Sequence, residues 1–361
     1  MITRALCALS VLVFGMACGG RSVDLDRPAM PAGSAGAANV KPAPKTVLAE
    51  RVYQFWVDDE RLYWTAYLSS LKGCLTSDCE HTRLNYGTPW GAGVTIGAHD
   101  VYWLPETLPT EVLTCPRSGC VGSPRTFLHD PNNAAGVAQA DGDYFYWHSS
   151  FDIYRCPSSG CAATPEVVAA DETAEAFTFQ GDYVYWVKYL PGDGGAGPTD
   201  EQILRAPKNG SAPPQVILPP PGNSATSMSA TFSTTDSNYA TDPRRIYWID
   251  SRDHILSCPL EGCGDSVPAQ LVASSVQMAQ LSVDESGLYW TEPMLLSSGH
   301  VGGSLHFCAF ANCASGESTV VIDKPIYEYL LNGPFIYWTQ VPDDDTGYPT
   351  TIQRIAKPSG S

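Results

Sequence analysis

The chain has 361 residues, of which 43% are hydrophobic and only 16% charged, and its formal net charge is −17. This length exceeds that of one ordinary compact domain, and the hydrophobic and aromatic content excludes a coiled coil or a long disordered acidic chain. The acidic balance argues against nucleic-acid binding, because a nucleic-acid partner requires a basic surface that displaces the counterions of its phosphates.

The N-terminus is typical of an export signal. Arg4 supplies the positive start, residues 5–14 the apolar centre, and the small residues before Cys18 a cleavage site. Cys18 resembles the lipobox cysteine of bacterial lipoproteins, although Gly15 stands where that motif usually has leucine. The resemblance implies that residues 1–18 are a lipoprotein signal and that Cys18 carries a lipid at the cell envelope, on the outer membrane or the cell surface. An ordinary secretory signal that happens to contain a cysteine is the alternative.

Residues 19–45 are rich in Gly, Ala, Ser and Pro and show no hydrophobic period, which predicts a tether that does not fold by itself. Beyond the signal, no apolar run reaches the length of a membrane-spanning helix. We therefore expect the membrane to contact the protein only through the lipid on Cys18.

One dipeptide, Tyr-Trp, recurs along the rest of the chain and uses seven of the nine tryptophans. Its copies define repeats 1 to 7, in the order Tyr63-Trp64, Tyr102-Trp103, Tyr146-Trp147, Tyr185-Trp186, Tyr247-Trp248, Tyr289-Trp290 and Tyr337-Trp338. The mean spacing is about 46 residues, and around each pair the same order of strand-like runs and polar turns returns. Four short strands per repeat at this period predict the blade of a β-propeller, and no apolar helical stripe competes with that interpretation.

Side chains on a strand alternate in direction, so the Tyr and the Trp of a pair face opposite ways. A strand with large rings on both sides needs cover on both sides, and blades stacked around an axis supply that cover. We therefore predict an all-β fold over residues 46–361, a seven-bladed β-propeller of four-stranded antiparallel blades.

The repeats resemble those of YWTD-type and NHL-type propellers. Their tetrapeptides are YWTA, YWLP, YWHS, YWVK, YWID, YWTE and YWTQ. The aspartate that ends the YWTD motif therefore occurs only as Asp250, and any role that rests on it is confined to repeat 5. The YWTD receptors also have six blades, whereas this sequence has seven repeats.

The last repeat is one strand short at the C-terminus. Residues 46–50 resemble the fourth strands of other repeats, so we predict that they pair with residues 351–355, close the ring and remove an exposed edge. In the long interval before repeat 5, we interpret residues 225–234 as the innermost strand of that repeat.

Ten cysteines form five pairs with a constant separation of five residues. They are Cys74/Cys79, Cys115/Cys120, Cys156/Cys161, Cys258/Cys263 and Cys308/Cys313. Three spacers, PRSG, PSSG and PLEG, are typical of a tight turn that joins two strands, with the cysteines flanking it. Repeats 4 and 7 lack both cysteines, with Ala206/Ser211 and Ala356/Ser361 at the sites we align with them, so covalent pairing explains the pattern better than a zinc site. Disulfides in turn favour an exported protein.

Motifs for catalysis or cofactor binding are missing from the sequence, which contains no HExxH, GxSxG or phosphate-loop pattern, and we expect no cofactor. By analogy with other propellers, a ligand would bind at the face formed by the loops between second and third strands and by the entries to the innermost strands. The residues expected at this face are His148, Asp250, His254, Glu292 and His300 on the loops, and Tyr53, Gln54, Gln280, Tyr327 and Glu328 near the channel.

Tyrosine and glutamine side chains at a channel mouth can stack on and hydrogen-bond to a sugar or a peptide. This predicts a recognition or scaffold module of the cell envelope that binds a protein, peptide or glycan. The alternative is a metal-assisted hydrolase or lyase, in which the histidines and carboxylates hold a divalent metal or act as general acid and base. A structural part of a larger envelope assembly is the third possibility.

Overall fold

The structure is a computed structural model of the chain. It describes residues 43–65, 70–87, 93–105, 111–129, 138–149, 152–161, 165–170, 174–189, 201–218, 239–250, 252–264, 266–295, 301–313, 315, 318–340 and 349–358. The predicted signal with Cys18 and nearly all of the predicted tether lie outside the described residues.

The described chain is built of antiparallel β-strands rich in aromatic and β-branched residues, the types that favour a pleated and buried backbone. The first strand is β1 (Lys45–Ala49). Repeat 1 follows with β2 (Gln54–Val57), β3 (Arg61–Thr65), β4 (Leu71–Leu75) and β5 (Leu84–Gly87). Repeat 2 has β6 (Val94–Ile96), β7 (Asp100–Trp103), β8 (Glu111–Pro116) and β9 (Arg125–His129). Repeat 3 has β10 (Ala138–Asp141), β11 (Tyr144–Ser149), β12 (Asp152–Pro157) and β13 (Glu166–Ala169).

Repeats 4 and 5 have the same arrangement. Repeat 4 has β14 (Ala174–Gln180), β15 (Tyr183–Tyr189), β16 (Glu201–Pro207) and β17 (Gln215–Leu218). Repeat 5 has β18 (Tyr239–Thr241), β19 (Arg245–Ile249), β20 (His254–Pro259) and β21 (Ala269–Ala273). Each of the first five repeats forms its own four-stranded sheet, with the strands in chain order.

The first strand of repeat 5 corrects one sequence interpretation. It is β18, in which Tyr239 lies opposite Trp248, and not the segment 225–234, which lies outside the described residues. The hairpin turn that begins at Asp242 fixes which residues pair with the Tyr-Trp strand, so the partner strand has to end directly before that turn.

Repeats 6 and 7 share one seven-stranded sheet. Its elements are β22 (Ala279–Val283), β23 (Gly287–Leu295), β24 (Val301–Ala309), α1 (Phe310–Cys313), β25 (Thr319–Asn332), β26 (Phe335–Gln340) and β27 (Thr351–Ala356). The long strand β25 pairs with β24 along its first part and with β26 along its second part. The four-residue α1 is the sole helix in the described part of the chain and is too short to span a bilayer.

Strand β1 completes this sheet by pairing antiparallel with β27. Lys45 lies opposite Arg354, and Ala49 lies opposite Thr351. The pairing predicted between residues 46–50 and 351–355 is therefore present, and the strand begins one residue earlier than expected.

Seven hydrophobic clusters hold the sheets together, and each contains the tyrosine of one Tyr-Trp pair and the tryptophan of the next. The pairs are Tyr63 with Trp103, Tyr102 with Trp147, Tyr146 with Trp186, Tyr185 with Trp248, Tyr247 with Trp290, Tyr289 with Trp338, and Tyr337 with Trp64. All of these side chains are at most 2% exposed. Each sheet therefore covers the rings of its neighbours, as the repeat pattern predicts.

All five predicted cysteine pairs are disulfides, with Cα–Cα distances from 4.9 to 5.2 Å. The bonded pairs are Cys74–Cys79, Cys115–Cys120, Cys156–Cys161, Cys258–Cys263 and Cys308–Cys313. The covalent pairing predicted from the constant separation is therefore confirmed.

The placement of the second cysteine corrects one part of that prediction. A tight turn that joins two strands would put both cysteines at strand ends, but in repeats 1, 2, 3 and 5 the second cysteine lies outside any strand. These second cysteines are Cys79, Cys120, Cys161 and Cys263. The fourth strand begins only five or six residues after each of them. In repeat 6, Cys313 ends the helix α1.

Pairing register explains this placement. The first cysteine of each pair directly follows the last third-strand residue that lies opposite the fourth strand, as Cys115 follows Thr114. The turn after the third strand therefore begins where the pairing of the two strands has already ended. Each disulfide consequently closes a loop beyond the paired strands and does not link the third strand to the fourth.

Register also corrects the alignment of repeat 7, because Ile355 lies opposite Ile336 just as Cys115 lies opposite Val101. The first cysteine site therefore corresponds to Ile355 and not to Ala356. No proline follows this site in repeat 7, so the sequence alone does not reveal the one-residue offset.

In repeats 4 and 5, the Pro-X-X-Gly turn also packs against the fourth strand of the preceding repeat. A Cβ atom on Gly210 would lie 2.7 Å from the carbonyl oxygen of Val167, and one on Gly262 would lie 2.8 Å from that of Ile217. Both glycines have a positive φ, 64° and 103° respectively. Glycine is therefore required here by the neighbouring strand as well as by the turn.

We expect Gly210→Ala to destabilise the protein more than Gly142→Ala does. Gly142 has a similar φ of 57°, but no atom lies within 4 Å of its Cβ position. The control substitution should cost about 1 kcal/mol for the left-handed conformation. Gly210→Ala must also displace a backbone carbonyl, which should add about 2 kcal/mol. Denaturant unfolding measures both free energies, and equal losses would show that the contact with Val167 contributes nothing.

Burial at the boundaries between repeats raises the pKa of tyrosines, to about 12 for Tyr86, Tyr102 and Tyr289. Their ordinary pKa is 10.0, so the unfolded chain loses these protons first as the pH rises. The stabilisation is therefore complete below about pH 10 and is lost progressively between about pH 10 and 12.

We expect the midpoint of thermal unfolding to fall steeply above about pH 10. Tyr102→Phe, which removes one raised pKa, should flatten this fall, whereas Val121→Ala, at a fully exposed position without a titrating group, should leave it unchanged. Ultraviolet absorbance measures the fraction of tyrosine side chains that are ionised to phenolate at each pH. Ionisation of the buried tyrosines near pH 10 while the protein stays folded would show that their pKa is not raised, and would contradict this account.

Candidate functional site

Each repeat presents two ends, which we call upper and lower. The upper end carries the connections between second and third strands and the passages from one repeat to the next. The lower end carries the hairpins between first and second strands and the turns after the third strands, with their disulfides. The described residues among those selected from the sequence belong to the upper end.

The predicted channel residues of repeats 6, 7 and 1 come close to one another. The side-chain amide Nε2 of Gln280 donates to the carbonyl oxygen of Tyr327 at 3.0 Å. The backbone N–H of Phe55, next to Tyr53 and Gln54, donates to Oε1 of Glu328 at 3.1 Å. These bonds connect the first strands of the three repeats at their upper ends.

Gln280 owes its orientation to an irregularity in β22. Its φ is 51°, in the left-handed region, and the pairing with β23 shifts between Ala279 and Ser282. A bulge of this kind re-aims a side chain relative to a regular strand. The carbonyl oxygen of Gln280 also accepts a bond from the Tyr329 hydroxyl at 2.6 Å. Gln280 thus joins repeats 6 and 7.

Exposure separates these residues into two groups. Tyr327 is 47% exposed, and Tyr53 and Gln54 are partly exposed. Glu328, which the sequence analysis places near the channel, is only 3% exposed. Its carboxylate faces the boundary with repeat 1, where it accepts the N–H of Phe55.

The histidines selected from the sequence do not gather into one described cluster. Nδ1 of His254 lies 3.3 Å from Oδ2 of Asp250, within the same loop. His148 lies in β11 opposite Ile153, and His300 lies outside the described residues. Within the described ranges, no group of three or more His, Cys, Asp and Glu side chains is close enough to hold a metal ion.

Glu292 contacts a histidine that the sequence analysis did not select. Nε2 of His306 lies 3.3 Å from Oε2 of Glu292 and 2.9 Å from Oγ of Ser304, and its ring stacks on Trp290 at 5.7 Å. Burial lowers the pKa of His306 and outweighs the nearby Glu292 carboxylate, which acts to raise it. The lowered pKa favours a neutral imidazole ring. Strand pairing would have identified this contact, because His306 lies opposite Trp290 in the neighbouring strand.

A cavity of about 700 Å³ opens at the lower end, between repeats 4, 5 and 6. Its lining includes Asp242, Arg244, Tyr247, Glu285 and Phe310. The ring of Phe310, which is 39% exposed, stacks on Tyr247 at 5.9 Å. The Tyr247 hydroxyl donates to Oδ2 of Asp242 at 2.7 Å. The cavity thus offers an aromatic surface beside an oriented carboxylate.

A second cavity, of about 360 Å³, lies at the same end between repeats 2 and 3 and includes His99, Asp143 and Ser158 in its lining. Sequence reasoning placed the ligand at the upper end by analogy and identified neither cavity. Both cavities lie where hairpins of one repeat meet the turns after the third strand of the next.

Comparison with known proteins identifies the fold. No protein-family model matches the chain, and no characterised protein matches its sequence. YCF48 bound to the D1 peptide superposes with a TM-score of 0.56 at 11% identity, covering 88% of this chain and 96% of that chain. YCF48 from Cyanidioschyzon merolae gives 0.55 at 9% identity, covering 87% and 99%. The β-propeller domain of the Trilobed protease from Pyrococcus furiosus gives 0.56 at 8% identity, covering 86% and 96%.

At these identities the similarity establishes architecture alone. The chain is an all-β protein with the β-propeller fold, built from antiparallel sheets that in five repeats are four-stranded. The propeller predicted from the Tyr-Trp repeats is thereby confirmed.

Proposed function

We propose that the protein is a recognition module of the cell envelope that binds a protein or peptide through one face of its propeller. The observation that carries this proposal is the cavity of about 700 Å³, with the stacked rings of Phe310 and Tyr247 beside the carboxylate of Asp242. Its volume lies in the range of ligand sites, and aromatic surface next to a few fixed polar groups is the usual composition of such sites. Among proteins of the same fold, YCF48 has been solved with a peptide bound.

The envelope location rests on two features of the chain. Residues 1–18 have the features of a lipoprotein signal ending at Cys18, and five disulfides form and persist only in an oxidising compartment. A lipid on Cys18 and the predicted tether would hold the propeller at a membrane surface, with its faces open to partners.

The propeller itself is a closed ring of seven blades in this proposal. Support comes from the seven Tyr–Trp clusters, the last of which joins repeat 7 to repeat 1, and from the pairing of β1 with β27. Side-chain bonds cross the same boundary, since Nδ2 of Asn332 donates to the carbonyl oxygen of Asp58 at 2.6 Å. Strand β25 serves as the last strand of blade 6 and the first of blade 7.

Deletion of residues 45–49 tests the closure. The deletion removes the edge partner of β27 and Leu48, which is 2% exposed, so we expect loss of cooperative folding or a strongly lowered unfolding midpoint. The matched control deletes residues 30–34, five residues of the predicted tether, and should change nothing. Circular dichroism during heating measures both. A β1 deletion that melts within about 2 °C of the parent would contradict the closed ring.

Photo-crosslinking in cells tests the recognition function at both ends of the propeller. A photoreactive residue at Tyr327 probes the upper end, one at Phe310 probes the lower cavity, and one at the fully exposed Val121 is the matched control. We expect one dominant polypeptide to be recovered from Phe310 or Tyr327 and not from Val121. Recovery of no polypeptide above the Val121 background from either position would refute a protein-binding role.

A further inference from the structure

A carboxylate of one repeat pairs with a cation of the next at three boundaries of the lower end. Nη2 of Arg117 lies 2.6 Å from Oδ2 of Asp58, and Nζ of Lys357 lies 2.7 Å from Oδ2 of Asp284. Lys208 pairs with Asp141 in the same way. Each carboxylate belongs to the hairpin between first and second strands, and each cation follows the third strand of the next repeat.

The pairing register shows that these residues are equivalent. Each carboxylate stands three residues before the first residue of the second strand. Each cation stands three residues after the residue that lies opposite the tyrosine of the Tyr-Trp pair. Those opposite residues are Thr114, Arg205 and Arg354, and in repeat 6 the corresponding residue is Phe307. The position equivalent to the three cations in repeat 6 is therefore Phe310.

The boundary between repeats 5 and 6 thus keeps the carboxylate, Asp242, but has an aromatic residue in place of the cation. The other boundaries without a cation have no hairpin carboxylate either, since the equivalent residues are Gly97, Gln180 and Asn332. All seven hairpin positions are described, and Asp242 is the one carboxylate among them whose partner position lacks a positive charge. The cavity of about 700 Å³ opens at this boundary.

The carboxylate of Asp242 is held in a fixed orientation. Its Oδ1 accepts the backbone N–H groups of Arg244 and Arg245, each at 2.7 Å, and its Oδ2 accepts the Tyr247 hydroxyl. None of these donors is a cation. The side chain of Arg245 is engaged elsewhere, with Nε 3.1 Å from Oγ of Ser257. An oriented negative charge therefore lies beside the rings of Tyr247 and Phe310.

The protein binds one of its own cations with the same two elements. Nζ of Lys208 lies 5.0 Å from the centroid of the Phe179 ring while it pairs with Asp141. A cation over an aromatic face gains electrostatic attraction to the ring, and a nearby carboxylate adds a charge-assisted hydrogen bond. The cavity at Asp242 offers both partners without an internal cation to fill the position.

We propose that this cavity, the Asp242 pocket, binds an arginine side chain of a partner polypeptide, which takes the place that Arg117, Lys208 and Lys357 hold at other boundaries. The proposal rests on the protein-binding function and specifies its partner chemistry. Arginine suits the pocket because its guanidinium both stacks on rings and pairs with carboxylates.

Charges around the pocket define the partner further. The net charge of −17 attracts a basic partner, and the exposed Glu285 adds negative charge at the lining. Asp284 is already paired with Lys357. Two arginines also line the cavity: Arg244 is exposed and opposes a positive charge there, whereas the guanidinium of Arg245 bonds to Ser257.

Calorimetric titration of the full chain tests the pocket with defined probes. The first probe is a short capped peptide with arginine at its centre, and the second is the same peptide with citrulline, which keeps the shape and removes the charge. We expect the citrulline peptide to bind at least about tenfold more weakly and the arginine peptide to weaken with added salt. Equal binding of the two peptides, or no binding of either at millimolar concentration, would overturn the proposal.

Two variants locate the binding site. Phe310→Lys supplies the missing cation, which should pair with Asp242 and weaken the arginine peptide at least about tenfold without lowering thermal stability. Asp242→Asn removes the charge but can still accept the backbone bonds, and a similar loss is expected. The matched control, Asp58→Asn, breaks an occupied carboxylate–arginine pair at another boundary and should leave peptide binding unchanged. Wild-type affinity in Phe310→Lys would show that the arginine binds elsewhere.

The two proposals fail in distinguishable ways. If crosslinking recovers a polypeptide from Tyr327 while the arginine peptide does not bind, protein recognition stands and the assignment of the Asp242 pocket is wrong. If the arginine peptide binds in the Asp242-dependent manner but neither crosslinking position recovers a polypeptide, the pocket chemistry stands and the polypeptide partner is wrong.

Discussion

The contact between the tyrosine of one repeat and the tryptophan of the next is the interaction on which the rest of the structure depends. A strand that carries large rings on both faces can leave neither face in water, so every sheet requires a neighbour on each side. The same contact occurs at seven boundaries, and the rings are almost fully buried at each. Short strands suffice in such a protein, because much of the apolar burial lies between sheets.

This dependence explains how much of the fold the sequence predicts. The Tyr-Trp spacing, the paired cysteines and the pairing of β1 with β27 are expressed in local patterns that repeat along the chain, so they can be read without coordinates. Register cannot be read in that way. Ile355 could not be distinguished from Ala356 as the first cysteine site, since only its pairing with Ile336 defines it. For the same reason the spacers did not reveal that second cysteines such as Cys120 lie beyond the paired strands.

Long connections obscure the pattern for a second reason. In the interval before repeat 5, the sequence pattern favoured residues 225–234, whereas the strand that pairs with β19 is β18, directly before the hairpin at Asp242. Amino-acid composition does not show which segment of a connection ends directly before the hairpin turn. The joining of repeats 6 and 7 through β25 was likewise not predicted, because it depends on one strand having two partners at once. The candidate channel residues were placed by their distance from the Tyr-Trp pairs, and that distance does not show that Glu328 and Gln280 bond to backbone groups of neighbouring strands. The Asp242 pocket arises from a difference between repeats, which becomes visible only after strand pairing aligns them.

The continuity of β25 has a consequence for repeats 6 and 7. Ile326 lies opposite both Gly303 and Gln340, so the chain passes from repeat 6 to repeat 7 within one sheet and without leaving extended conformation. Between β21 and β22, in contrast, residues 274–278 leave strand conformation. Repeats 6 and 7 are thus joined through a continuous strand as well as through packed rings. We expect these two repeats to unfold together, because a strand paired on both edges cannot leave one repeat without disturbing the other.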